Sequence, residues 1–223
     1  MIIAKFIAVA IIGYLLGSVP FGLIVSRIQA KVDIRNYGSG RTGGTNVLRT
    51  LGRKAFVMVA AGDILKAAVA VLLARAIVGN GILAIGRLNL SSLAAQSLAG
   101  LCAIMGHVFP VFAKFKGGRG VATFIGGLAA ICPVAALFGG EILIIGAGLS
   151  GFASLGSITA VVSAYAIMIP LTVIYGVPIE YLYYVLIGTL IIVIAHHDNI
   201  KRLLSGKERK LNQKAASRSG MAA

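Results

Sequence analysis

The sequence predicts an all-α polytopic membrane protein, and three features carry that expectation: its composition, the recurrence of long apolar stretches, and the gathering of basic residues between them. Of 223 residues, 58% are hydrophobic and 12% charged, with a mean hydropathy of +0.96. Too little polar surface remains to cover a water-soluble domain of this size. The bilayer is the solvent such a chain needs.

Apolar stretches approaching the roughly 20 residues that cross a hydrocarbon core recur along the chain. They run from Ile2 to Ser26, Ala55 to Val78, Ser91 to Phe112, Val121 to Phe138, Gly140 to Phe152, Gly156 to Tyr175 and Glu180 to His196, predicting seven transmembrane helices. Lys5 followed by the apolar run Phe6 to Leu16 resembles a signal peptide, but Gly17-Ser18-Val19-Pro20 offers no small-x-small cleavage site, so this segment reads as the first span. Residues 1–200 form one membrane domain, and residues 201–223 a basic tail read as an appendage. Cys102 and Cys132 lie in apolar stretches and read as small packing residues.

The net charge is +15. Nucleic acid is not the expected partner, because cytoplasmic loops of membrane proteins are themselves rich in Lys and Arg. Between the first two spans stand Arg27, Lys31, Arg35, Arg41, Arg49, Arg53 and Lys54; between the third and fourth stand Lys114, Lys116 and Arg119. The tail adds Lys201, Arg202, Lys207, Arg209, Lys210, Lys214 and Arg218, so these regions hold 17 of the 21 basic residues. All three are expected in the cytoplasm. An even number of crossings must separate the second loop from the tail, so the stretch from Val121 to Phe152, interrupted by Pro133 and Gly139-Gly140, should supply two short spans, the fourth and fifth. The N-terminus is then outside and the C-terminus cytoplasmic. Small residues such as Gly13 and Gly17 suit close helix packing.

The segment Gly38-Ser39-Gly40-Arg41-Thr42-Gly43-Gly44-Thr45-Asn46-Val47-Leu48-Arg49 joins backbone N–H groups, hydroxyls and two arginines, a combination suited to phosphate. It matches G-x-G-x-x-G only superficially: the preceding residues are polar, and Asp63 lies inside a span, so no βαβ unit exists. A Walker loop fails too, since Gly44 stands where its lysine belongs. The second loop, Gly106-His107 through Lys114-Phe115-Lys116-Gly117-Gly118-Arg119-Gly120 to Thr123, repeats the pairing of basic residues with glycines. His107 can act as a general base or orient its loop. His196 and Asn199 share one helical face at the end of the last span, where they either complete a polar site or form a solvated helix end. Asp63 and Lys66, three residues apart in an apolar span, read as a structural ion pair. Ser154 lies in an uncharged cytoplasmic turn that can reach the same face.

These residues resemble a known family, the acylphosphate:glycerol-3-phosphate acyltransferases called PlsY, over almost the entire chain. The resemblance rests on Gly17-Ser18-Val19-Pro20-Phe21-Gly22, the Gly38 to Arg49 loop, the Gly106 to Thr123 loop, Ser154-Leu155-Gly156-Ser157 and the His196 to Glu208 tail, in family order. The chain departs from the family loop at Arg41-Thr42 and Gly43-Gly44, where the usual residues are Asn-Pro and Gly-Ala. The resemblance implies transfer of a fatty acyl group from acyl phosphate to the 1-hydroxyl of glycerol 3-phosphate, giving lysophosphatidate in phospholipid synthesis, in a multi-pass cell (inner) membrane protein with its site on the cytoplasmic face. It implies Ser39, Arg49, Lys116, Ser154, His196 and Asn199 as site residues; His107, from its place in the second loop, is a further candidate catalytic residue. Gly38, Gly40, Gly43, Thr45, Asn46, Lys114, Gly117, Gly118, Arg119 and Gly120 are expected to bind phosphate. In this reading Arg49 and Lys116 neutralise phosphate, Ser39 and backbone N–H groups take the oxyanion or the leaving phosphate, and His196 with Asn199 takes glycerol 3-phosphate.

Acyl phosphate is already activated, so neither a metal nor another cofactor is expected. Only six acidic residues exist, scattered along the chain. His-x4-Asp is absent, since Phe112 follows His107 at that spacing and Lys201 follows His196. No buried Asp–His pair is evident in the sequence, so the substrate's phosphate, with a second pKa of about 6, is the expected proton acceptor. The expected partners are acyl phosphate, glycerol 3-phosphate and membrane lipid; the chain is expected to be a monomer, with the acyl-phosphate-forming enzyme as an associate. A transporter of a phosphorylated solute is the alternative, and it would place its anion site near the midplane.

Overall fold

The computed structural model describes residues 2–86 and 88–217; Arg218, counted above with the basic tail, lies outside them. The first apolar unit is broken: α1 (Ile2–Gly17) ends at Ser18, and α2 (Phe21–Ala30) restarts after Pro20. Pro20 donates no backbone hydrogen bond, while its carbonyl accepts from Leu23 and Ile24 and so opens the next helix. A loop containing one 3₁₀ turn leads to α3 (Gly44–Leu51) and α4 (Arg53–Val78). An antiparallel hairpin follows, β1 (Leu83–Ile85) and β2 (Leu88–Leu90), with Leu83 opposite Leu90. This hairpin corrects the expectation of a purely helical chain. Then come α5 (Ser92–Val108), α6 (Val121–Ile131), α7 (Pro133–Ser150), α8 (Ala153–Val173), α9 (Ile179–Ala195) and α10 (His197–Leu204).

Among the described residues, five segments are long and apolar enough to cross a membrane, and α9 with α10, bent by 60°, makes a sixth if the pair is one span. Ile3, Ile7, Ile11 and Leu15 of α1 lie exposed along one stripe, the outward apolar face that lipid would cover. The interruption between the fourth and fifth apolar stretches sits at Cys132-Pro133 and not at Gly139-Gly140. Proline lacks an N–H and clashes with the preceding turn, so it starts a helix better than it continues one. Both glycines are helical, and a Cβ on Gly139 would already meet Ala164 of α8. The 11-residue α6 therefore reaches only about 16 Å, and the 18-residue α7 is a full-length apolar helix.

Glycine sets the closest helix approaches. A Cβ on Gly13 would collide with the Ala99 carbonyl, and one on Gly17 with that of Ala103, so α1 lies directly on the backbone of α5. Gly126 of α6 stands in the same way against the Ile64 carbonyl of α4. Deeper in the bundle Phe124 and Tyr184 stack at 5.6 Å, and the Tyr184 hydroxyl donates to the Phe124 carbonyl at 2.7 Å. Gly126→Val is expected to force α6 off α4 and cost about 1–3 kcal/mol, read as a lower melting temperature in detergent. Gly140→Ala, whose Cβ would meet nothing within 4 Å, should leave the melt unchanged or raised.

Candidate active site

At one end of the bundle α4, α6 and α8 begin, while α5, α7 and α9 finish, and a cavity of about 490 Å³ opens among those ends. Two of its walls are the glycine-rich loops. The first loop is held by Asn46, whose amide donates to the carbonyls of Ile34, Tyr37 and Arg41 and whose Oδ1 accepts from the Ser39 backbone N–H at 3.1 Å. This side chain is a strut for the loop as well as part of the cavity wall. Gly38 and Gly40 adopt positive φ, and a Cβ on Gly38 would meet Asn46 Oδ1, so glycine is required there. Arg35 ties the two loops together, donating to the Ala113 carbonyl at 3.2 Å while paired with Asp33 at 2.6 Å.

Gly44 and Thr45 of α3, Val121 and Ala122 of α6, and Ser154 of α8 line the cavity. Three helix N-termini therefore turn their first residues toward one space, where backbone N–H groups favour anions. Arg41, Arg49 and Arg119 add guanidinium groups. Arg119 Nε and Asn199 Oδ1 are buried with no hydrogen-bond partner among the described residues. Burial draws the Arg119 pKa down to about 10, and the nearby charges of Arg41 and Arg202 act in the same direction. It remains a cation at neutral pH.

His196 is 2% exposed, and its Nδ1 lies 2.8 Å from the Ile192 carbonyl. A carbonyl only accepts, so Nδ1 carries the proton and Nε2 is left as an acceptor in the neutral ring. Of the residues expected from sequence, Ser39, Arg49, His107, Ser154, His196, Asn199, Gly43, Thr45, Asn46, Gly118, Arg119 and Gly120 meet at this cavity. Lys114 and Lys116 are exposed, and with Gly38, Gly40 and Gly117 they stand outside its lining.

The ion pair read between Asp63 and Lys66 is present at 2.7 Å, but it has a third member that sequence spacing concealed. His107 Nδ1, from α5, lies 3.3 Å from Asp63 Oδ1 and 3.0 Å from Lys66 Nζ. This corrects the expectation that no buried aspartate and histidine pair. Also unforeseen is the opposite wall, where Phe56, Ala60, Ile64, Ile125, Leu143 and Ile144 carry the cavity into the bundle. Ile144 is 74% exposed, so this apolar arm reaches the lipid-facing surface.

The tail is not an appendage over its described length. The Arg49 guanidinium donates to the carbonyls of Arg209 and Lys210, at 2.8 and 3.2 Å, and its own carbonyl accepts from the Ala215 N–H. Gly38 donates to the Ala216 carbonyl, and Leu211 donates to that of Gly151. Glu208 anchors this strap, accepting from Asn199 Nδ2 and Arg202 Nε, both at 2.7 Å, and from Ser154 Oγ at 3.0 Å. Its signal in the sequence was a lone acid among tail cations. Burial raises its carboxyl pKa, but the bonds from Arg202, Asn199 and Ser154 outweigh burial and hold it below the ordinary value of 4.5. A depressed carboxyl stabilises the docked tail above its unfolded pKa, and that contribution disappears as pH falls through the lower folded value. Glu208→Gln should therefore free the tail at neutral pH, seen as faster tryptic cleavage at Arg209 and Lys210. Acidification below about 4.5 should loosen the tail of the wild type and change the variant little.

The glycerol-3-phosphate acyltransferase family model matches residues 7–206. Glycerol-3-phosphate acyltransferase 3 of Dehalococcoides mccartyi strain CBDB1 is 63% identical over 215 residues, covering 96% of this chain and 100% of that protein. The glycerol-3-phosphate acyltransferase of Thermoanaerobacter pseudethanolicus is 38% identical, covering 92% and 95%. Among solved structures, the glycerol 3-phosphate form of PlsY, an integral membrane glycerol 3-phosphate acyltransferase, superposes with a TM-score of 0.79 at 35% identity, covering 92% of this chain and 94% of that one. A lysophosphatidic acid form of PlsY gives a TM-score of 0.75 at 33% identity, with the same coverage. This chain therefore belongs to the glycerol-3-phosphate acyltransferase family.

Proposed function

We propose that the chain transfers a fatty acyl group from acyl phosphate to the 1-hydroxyl of glycerol 3-phosphate, releasing phosphate and lysophosphatidate for phospholipid synthesis. The observation that carries this reading is the continuity of a cationic chamber with an apolar arm in one cavity: Arg41, Arg49 and Arg119 at one end, Ile64, Ile125 and Ile144 at the other. An acyl phosphate has that polarity, with a dianionic head joined to a hydrocarbon chain. The forms in which the PlsY structures were solved, with glycerol 3-phosphate and with lysophosphatidic acid, support the acceptor and the product.

The acyl chain lies in the arm and enters from the lipid face beside Ile144. Arg119 and Arg49 hold phosphate oxygens, and the exposed Lys116 of the second loop draws phosphate toward the cavity. For Arg49 to bind phosphate, its guanidinium exchanges the strap carbonyls of Arg209 and Lys210 for phosphate oxygens. His196 Nε2 accepts a hydrogen bond from the glycerol hydroxyl, and Asn199 Oδ1 accepts from the second one. The 1-hydroxyl oxygen attacks the acyl carbonyl carbon, the carbonyl oxygen becomes an oxyanion, and Ser39 with backbone N–H groups stabilises it. Collapse expels phosphate with the electron pair of the broken C–O bond. The hydroxyl proton passes to that phosphate, so no proton is left over. No metal or other cofactor takes part.

Seven membrane-embedded helices, with α6 too short to cross untilted, leave the N-terminus outside and bring the three basic regions to the cytoplasmic face of the inner membrane. Their meeting at one end of the bundle supports that orientation. The chain acts as a monomer that can receive its donor from the acyl-phosphate-forming enzyme.

Purified protein supplied with palmitoyl phosphate and glycerol 3-phosphate, without added metal, should release phosphate and form lysophosphatidate. Ser39→Ala should lower turnover about 100-fold or more. Folded wild-type protein that binds glycerol 3-phosphate yet releases no phosphate would refute the reading.

A further inference from the structure

Lys66 is 6% exposed, and its ammonium has three polar neighbours: Asp63 Oδ1 at 2.7 Å, the Val19 carbonyl at 3.0 Å and His107 Nδ1 at 3.0 Å. An ammonium has three hydrogens to donate and nothing with which to accept. The Val19 carbonyl, freed where the first apolar unit breaks before Pro20, takes one of them. The contact with Asp63 is an ion pair, without which either charge would be costly at this depth.

Of the two groups beside His107 Nδ1, Lys66 Nζ is the nearer, at 3.0 Å and in hydrogen-bond geometry, whereas Asp63 Oδ1 stands at 3.3 Å. Nδ1 is then the acceptor, and the one proton of the neutral ring sits on Nε2. That nitrogen faces the second loop: a Cβ built on Gly118 would collide with Nε2, and the Gly118 N–H donates to the His107 carbonyl at 3.1 Å. Both residues line the cavity. Gly118 thus leaves room for the ring edge beside the space where a ligand oxygen would lie.

We propose that Lys66 is a positioning residue that holds neutral His107 as its Nε2–H tautomer, so that His107 offers an N–H donor, not a base, to an anionic oxygen at Gly118. The tautomer stands on the geometry of the buried cluster. The identity of the oxygen, on a substrate phosphate or on the developing tetrahedral centre, rests on the acyl-transfer reading above. A neutral imidazole is an effective electrophile for such an oxygen. His107 and His196 are then opposite tautomers at one cavity, the first presenting a donor and the second an acceptor.

Long-range ¹H–¹⁵N spectra of histidine-labelled protein in micelles at neutral pH read the tautomer directly, with the His107 signals assigned by their loss in His107→Gln. The expected spectrum has Nε2 protonated and Nδ1 bare. In Lys66→Met the proton should shift toward Nδ1 and Asp63. If that variant does not fold, the Asp63→Asn/Lys66→Met pair removes both buried charges and should show the same release of the tautomer. In turnover, His107→Gln keeps an amide N–H donor and should lose about tenfold, against about 100-fold or more for His107→Ala, with the loss in kcat. A wild-type ring protonated at Nδ1 or at both nitrogens, or equal losses in the Gln and Ala variants, would overturn the proposal. Wild-type protein with the expected tautomer but no turnover would instead sink the acyl-transfer reading and leave the Lys66–His107 assignment intact.

Discussion

Three arginines, Arg41, Arg49 and Arg119, face one partly apolar cavity, and the acids in its lining, Asp63 and Glu208, are already paired with Lys66 and Arg202. Like charges held together away from bulk water repel, and the cost rises as the dielectric falls. Such an arrangement persists only where the surrounding structure forces it. The strut made by Asn46 and the Arg35 link between loops act on the loops that carry Arg41 and Arg119, and the Glu208 anchor holds the strap whose carbonyls accept from Arg49 of α3. A bound phosphate would relieve the repulsion that this scaffold maintains.

The membrane shapes the same site from the other side. Within hydrocarbon a chain can be irregular only where it is buried in protein or lines a cavity. The breaks at Ser18–Pro20 and Cys132–Pro133 accordingly sit beside functional or packed surfaces. At the first, the Val19 carbonyl accepts from Lys66; at the second, Cys132 is buried in the core formed with Phe124, Tyr184 and Met168. Glycines then let helices approach closely enough to build walls around the cavity, as Gly126 does between α6 and α4. Packing and chemistry share these positions.

Much of this was legible in the sequence, for identifiable reasons. Spans such as Arg53–Val78 announce themselves because apolar length is a strong signal, and the glycine-rich loops do so because basic residues beside flexible backbone suit phosphate. The boundary between α6 and α7 was misplaced because Pro133 and Gly139-Gly140 both read as breaks, and only contact with α8 shows that Gly139 is a packing residue. The strap escaped notice because a run of tail cations looks like a solvated end, and nothing local to Glu208 shows that Ser154 and Asn199 converge on it. The Asp63–Lys66 pair showed as an i, i+3 spacing, but its partner His107 stands 41 residues beyond Lys66, where only tertiary structure makes them neighbours.

The most direct test is ligand-dependent stability of the purified protein: melting followed while glycerol 3-phosphate is titrated, with glycerol as control, in the wild type and in Arg119→Gln. Saturation at about 100 times Kd should stabilise the wild type by about 2.7 kcal/mol. Glycerol should have no effect on either protein, and Arg119→Gln should need far more glycerol 3-phosphate to respond. Equal stabilisation of both proteins, or equal response to glycerol, would contradict a cavity organised around half-buried cations that await a phosphate.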